Sequence, residues 1–338
     1  MLTILSAIFV FGVLVTVHEF GHFITAKLTG MRVDEFAIGF GPIIYQTKQG
    51  DTTYSLRAIP LGGFNKIAGM DPDEEKTADG FSSKPVPARM LVILAGSLMN
   101  FILPIILFFA IFASAGMDKP VNEAVLGSIM PNKPAAQAGL MPGDKIIAIN
   151  EEAIVDWSGI MTTLKQYPNQ EVKVKVDRAG SVRTYKMTPV YEESIERMVI
   201  GISPKFEKET LSLGNAAKLA VEHTKNVIVA MLNGLTRIVT GKAPAEVSGP
   251  IGVAQMAGAV AELGILPLLN FIAFLSINLG VINLLPIPAL DGGHFVVLLV
   301  EALRGKPLGS RAMNAIQMVG VAIILAITVF STFKDITR

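Results

Sequence analysis

His18 and His22 stand four residues apart in a long apolar run, with Glu19 between them. Side chains at i and i+4 share one face of a helix, their Cβ atoms about 5–6 Å apart. Two imidazoles so placed can bind one metal ion. Glu19, on the adjoining stripe, can reach a water at that ion without being a ligand. This is the H-E-x-x-H arrangement of zinc hydrolases. Ordinary boundary polar groups explain it poorly, because one ionisable side chain at membrane depth costs about 2.5–3.5 kcal/mol. The chain has no cysteine, so disulfides are excluded and any metal must be held by His, Asp or Glu.

Two histidines do not complete a catalytic zinc site; a third protein ligand is expected, with water in the fourth position. Asp291 is the stronger candidate. It lies in Asn283-Leu-Leu-Pro286-Ile-Pro288-Ala-Leu-Asp291-Gly-Gly293-His294, directly after an uncharged stretch. The prolines and glycines interrupt a helix there, and irregular backbone at membrane depth is tolerated only against protein or a watery cavity. His294, three residues on, is a competing ligand or a supporting partner. His223 has no motif around it and reads as a surface side chain.

The elements that must carry these residues are apolar. Charged residues make up 17% of the 338 and apolar residues 51%, with mean hydropathy +0.52. A soluble domain carries about 25% charge, so the composition is that of a membrane protein. A net charge of +1 offers no basic surface for nucleic acid. A span needs about 20 apolar residues, and four runs qualify: 1–26, 90–117, 265–290 and 312–333. The first lacks the positive opening of a cleaved signal peptide and is expected to stay as a spanning helix. Lys27, Arg32, Lys84 and Arg89 flank the first loop, and Arg304, Lys306 and Arg311 occupy the last. Positive loops face the cytoplasm. The N-terminus, the 118–264 segment and the C-terminus are therefore expected outside, with the active site toward the cytoplasmic side.

The loop 27–89 contains strand-like runs 43–46 and 52–58 flanking Lys48-Gln49-Gly50-Asp51, a hairpin signal. Asp71-Pro-Asp-Glu-Glu75 reads as a solvated acidic run. From about 118 to 203 the composition turns soluble, with a mixed pattern of short strands and one or two helices. Residues 213–239 read as an amphipathic helix, interfacial or outside the membrane, within a linking region 204–264 broken by Pro244 and Ser248-Gly-Pro250. The catalytic membrane halves are then 1–117 and 265–338.

His18-Glu-Phe-Gly-His22 together with Leu290-Asp-Gly-Gly293 resembles the site-2 proteases, and the intervening pattern resembles their bacterial regulator-of-sigma-E-protease branch. The resemblance covers nearly the whole chain. It implies an α-helical membrane protein with four transmembrane helices, a membrane-associated β-hairpin at 34–64 and an inserted extracytoplasmic α+β PDZ domain. It implies one zinc ion bound by His18, His22 and Asp291, with Glu19 as general acid/base. It places Asn283, Pro286 and Asn100 beside the substrate, and the chain in the bacterial cytoplasmic membrane. Partners implied are transmembrane proteins, such as anti-sigma factors or signal-peptide remnants, and the lipid bilayer; the PDZ domain would bind a peptide or filter substrates by size. Ser97 replaces the family's usual Pro after Gly96, and Asn150-Glu151 stands where Asn-Gly is common. Two other classes compete. A peptide-binding scaffold has no need of Glu19. A metal transporter often shows repeated halves, and none is visible here.

Overall fold

The computed structural model describes the chain apart from residues 72, 75, 76, 193–196, 243, 245–247 and 338. The acidic run at 71–75 thus falls partly outside the described residues. Two compact units form: Met1–Ser114 with Ser212–Arg338, and Ala115–Leu211.

Helix α1 (Leu2–Leu28) has no charged residue before Glu19. The chain then forms β1 (Val33–Gln49) and β2 (Thr52–Ile67), an antiparallel pair joined at Gly50-Asp51. Both strands are far longer than the runs at 43–46 and 52–58, because the hairpin folds back on itself. Residues 33–38 pair with 63–67 on one side. On the other they lie beside 53–56, with partner numbers rising together (Phe36 with Tyr54, Ile38 with Leu56). Residues 43–49 close the far side against 52–57. Four rows result, in the order 43–49, 52–57, 33–38, 63–67. The fold-back occurs at Gly39 (φ +89°) and Gly41 (φ +81°), backbone angles that glycine adopts without the Cβ penalty.

Helix α2 (Val86–Ala115) starts earlier than the apolar run from 90 suggests. Arg89 is therefore a helix residue, not a free loop charge. It is buried and pairs with Glu301 through two bonds of 3.1 and 2.6 Å.

The inserted unit is α+β. A four-stranded sheet has the order β6 (Glu152–Ala153), β5 (Lys145–Ile149), β7 (Val172–Arg178), β8 (Ser181–Met187). Alternation along β7 puts Val172, Val174 and Val176 into a core with Ile146, Ile149, Ile160 and Leu164. Short ribbons pair β3 (Met117–Pro120) with β12 (Phe206–Glu209), β4 (Leu126–Ile129) with β11 (Ile202–Pro204), and β9 (Val190–Glu192) with β10 (Arg197–Val199). Helices α3 (Pro134–Ala138) and α4 (Trp157–Leu164) complete it. Asp156 caps α4 by accepting the Gly159 N–H at 2.8 Å. Because β12 belongs to this unit, the linking region does not begin at 204.

Helix α5 (Leu213–Val239) follows, then α6 (Pro250–Glu262), α7 (Ile265–Asn283), α8 (Asp291–Arg304) and α9 (Ser310–Thr337). Among the described residues, α1, α2, α7 and α9 are the helices long and apolar enough to span a membrane. Three differences from the sequence reading stand out. The third span ends at Asn283, not 290, because Pro286 and Pro288 cannot continue it. The region expected to be a loop after it holds α8. The break expected at Pro250 starts α6 instead, with proline in the first helical turn, where its missing N–H costs nothing. His223 of α5 is also no free surface residue: its ring stands edge-on to Phe108 at 4.5 Å and to Phe112 at 5.8 Å.

Three buried clusters hold the membrane unit. Phe23, Phe36, Ile67, Val92 and Leu298 join α1, the sheet, α2 and α8. Val10, Leu14, Leu103 and Ile272 join α1, α2 and α7, with Ala257 of α6. Phe108, Ala220 and Ile277 join α2, α5 and α7.

Candidate metal centre

The site forms where α1 crosses α2 and the start of α8 approaches both. The crossing is close because residue 96 is glycine: a Cβ there would overlap the rings of His22 and His18. After α7 the chain makes a tight irregular turn, with Ile287 N–H donating to the Leu285 carbonyl at 2.7 Å. Ala289 takes φ +71°, a conformation costing a non-glycine residue about 1–2 kcal/mol. That strain is held two residues before Asp291, which opens α8 in its first turn. A carboxylate is favoured there by the helix dipole.

Three sequence-derived candidates meet. His18 Nε2 lies 3.3 Å from His22 Nε2. Asp291 Oδ2 is 3.5 Å from His18 Nε2, and its Oδ1 is 3.6 Å from His22 Nε2. Tetrahedral ligands at zinc–nitrogen distances of 2.0–2.1 Å stand about 3.3 Å apart, so the spacing suits that ion. The hydrogen bonds point the same way. His22 Nδ1 is 2.8 Å from the Val92 carbonyl, which can only accept, so Nδ1 carries the proton. Its Nε2, the nitrogen turned toward Asp291 at 3.6 Å, is then the one left to coordinate a metal.

Support residues complete the centre. Asn100 is fully buried, its Nδ2 3.0 Å from His18 Nδ1, and its Oδ1 has no partner. When Nε2 of His18 binds a metal, Nδ1 is protonated, and a half-turn of the amide puts the orphan Oδ1 on it. Asn100 thus lies behind one histidine of the group. Ser97, the departure from the family pattern, donates to Asp291 Oδ2 at 2.9 Å. Ser276 ties α7 to α2 by donating to the Asn100 carbonyl at 2.8 Å. Glu19 is outside the three-donor group. Its Oε2 accepts from Asn65 Nδ2 at 2.8 Å. Asn283 ends α7 and is half-buried, and Pro286 in the following turn is exposed. His294 also stays outside the donor group and lines a cavity of about 1010 Å³ with Asn65, Arg89, Glu301 and Ser310. Asn65 stands in no motif of the sequence. For Ser97 the only signal was its departure from the family's Pro.

Partners of metal ligands commonly change metal affinity by about 10–100-fold. Ser97→Ala is expected to weaken zinc binding by that order, read by competition with a chromophoric chelator. An unchanged affinity would mean that the Ser97 hydroxyl does not support Asp291.

The model of peptidase family M50 matches residues 6–327. The chain is 38% identical over 337 residues to a Clostridium acetobutylicum protein whose name carries a provisional zinc metalloprotease assignment, spanning 98% of this chain and 97% of that one. It is 32% identical over 417 aligned positions to the regulator of sigma-W protease RasP of Bacillus subtilis, spanning 99% and 98%. With the zinc metalloprotease RasP of Geobacillus kaustophilus it shares 31% over 415 positions, spanning 99% and 98%. Among solved structures, the PDZ domain of an SdrC-like protein from Listeria monocytogenes aligns with 26% of this chain and 93% of its own length, at 17% identity and TM-score 0.23, too slight a likeness to fix a fold. By the extent of the family match and the identity to these relatives, the chain belongs to peptidase family M50.

Proposed function

We propose that this chain is a multi-pass membrane zinc protease that hydrolyses peptide bonds within or beside the transmembrane segments of other proteins. The observation that carries this reading is the convergence of His18, His22 and Asp291 at ligand spacing within the apolar unit. These three residues would hold the zinc. Bound there, the ion supplies Lewis-acid polarisation of the scissile carbonyl and lowers the pKa of a water to about 7.

Glu19 takes a proton from the attacking water and delivers it to the amide nitrogen as the carbon–nitrogen bond breaks. A helical substrate hides its carbonyls in internal hydrogen bonds, and lipid offers no replacement partners. The folded hairpin can supply them by strand addition. It has two free edges among the described residues, and the 63–67 row lies against α1 at Glu19. The 43–49 row is three rows away, about 14 Å at 4.8 Å per row. The nearer edge, in the second half of β2, is therefore the substrate edge. Asn283 and Pro286, in the broken segment before Asp291, border the same substrate path. The exposed Phe40, Ile43, Ile44 and Tyr45, at and just after the fold-back, suit a surface dipped into the bilayer.

The inserted unit is read as a PDZ domain that binds a peptide or excludes bulky substrates. The relative named as a regulator of sigma-W favours membrane-anchored anti-sigma factors among the substrates. The loop charges favour a bacterial cytoplasmic membrane location with the termini and the inserted unit outside. A cysteine placed at the exposed Leu28 should react with an impermeant maleimide only from the cytoplasmic side. Labelling only from outside would invert the topology.

Detergent-purified protein should cleave a model transmembrane substrate and stop with chelator. Glu19→Gln should abolish cleavage with zinc retained. Proline at Phe64 or Lys66 should slow cleavage more than proline at Ile44 or Gln46, again at full zinc content. Cleavage by Glu19→Gln would defeat the protease reading, and equal effects in the two rows would defeat the edge assignment.

A further inference from the structure

Asn65 makes two contacts with one residue of α1. Its Nδ2 lies 2.8 Å from Glu19 Oε2 and 2.6 Å from the Glu19 main-chain oxygen. The strand passes directly over this side chain: a Cβ at Gly63, two residues before, would stand 3.6 Å from Glu19 Cγ. The main-chain bond by itself would dock β2 onto α1. The second bond does something docking does not require, because it fixes the end of a side chain with three rotatable bonds. A general base must sit within about 2.6–3.2 Å of the heavy atom whose proton it takes, so a freely turning carboxylate spends much of its time out of reach.

We propose that Asn65 is a positioning residue for Glu19, an inference that rests on Glu19 being the general base. Holding Oε2 leaves Oε1 as the oxygen that accepts the proton. Asn65 also belongs to the edge row proposed to receive the substrate strand, where it pairs with Phe36 on the inner side. Substrate strand addition and orientation of the base therefore share one residue. A peptide that settles on this edge stiffens the strand that aims Glu19, so a badly paired peptide meets a poorly aimed base.

The test uses the purified full chain with a transmembrane model substrate. Asn65→Asp keeps the shape and removes the donors; Asn65→Leu removes polarity. General-base contributions run to about 10²–10⁴-fold, and loss of aim should forfeit about tenfold or more in kcat. KM should change by less than about twofold. Zinc content, and the visible spectrum of the cobalt-substituted protein, should match the wild type. The shorter carboxylate of Glu19→Asp should not reach Asn65, so adding Asn65→Leu to it should cost little more, the non-additivity of residues acting through one group. Full kcat in both Asn65 variants, with Glu19→Gln inactive, overturns the inference and leaves the protease reading standing. Loss of zinc or of folded protein in both variants assigns Asn65 a merely structural role and also overturns it. Cleavage by Glu19→Gln overturns the protease reading itself.

Discussion

Two imidazole nitrogens and one carboxylate lie within 3.6 Å of one another, a spacing that a metal ion would bridge. The bond from His22 Nδ1 to the Val92 carbonyl leaves Nε2 as the nitrogen turned toward Asp291. A metal held there would tie the two ends of the chain together. His18 and His22 come from the first helix and Asp291 from the eighth. The remaining structure arranges their meeting. Gly96 lets α2 pass close to both imidazoles. Ser97 and Asn100 hold Asp291 and His18, and the strained turn at Ala289 aims Asp291 inward.

The membrane sets the second constraint. Backbone groups cannot go unpaired in lipid, so the break between α7 and α8 must face protein or a watery cavity. Close packing covers part of it: a Cβ on Gly320 of α9 would collide with the Pro288 carbonyl, while Pro286 stays exposed. The same rule governs a substrate, which must exchange helical hydrogen bonds for others before it can be cut. The fold-back of β1 and β2 presents a strand edge beside Glu19. On the proposed reading, substrate unwinding and proton transfer would be served by adjacent pieces of one unit.

Much of this could be read from the sequence, for reasons that differ by element. The spanning helices were legible because long uncharged runs have few alternatives, and His18, Glu19 and His22 because helical spacing is local. Asp291 was legible because prolines and glycines broke an apolar run. Helices α6 and α8 were missed although signals existed: Pro250 at a helix start, and Arg304 followed by Gly305 at a helix end. Other features had no local signal. Ser97 meets Asp291 across 194 residues and Asn65 meets Glu19 across 46. Arg89 reads as a loop charge in the sequence because its partner Glu301 lies 212 residues away. The four-row sheet arises from pairing between halves of the same two strands, which alternation along either strand does not encode.

X-ray absorption at the zinc edge of the purified chain tests the metal centre most directly. The two-helix site predicts one zinc per chain with two imidazole nitrogens at about 2.0–2.1 Å and carboxylate oxygen at about 2.0–2.2 Å. Removing the Asp291 carboxylate should alter that shell. Active protein without zinc, or a three-imidazole shell with His294 in place of Asp291, would contradict it.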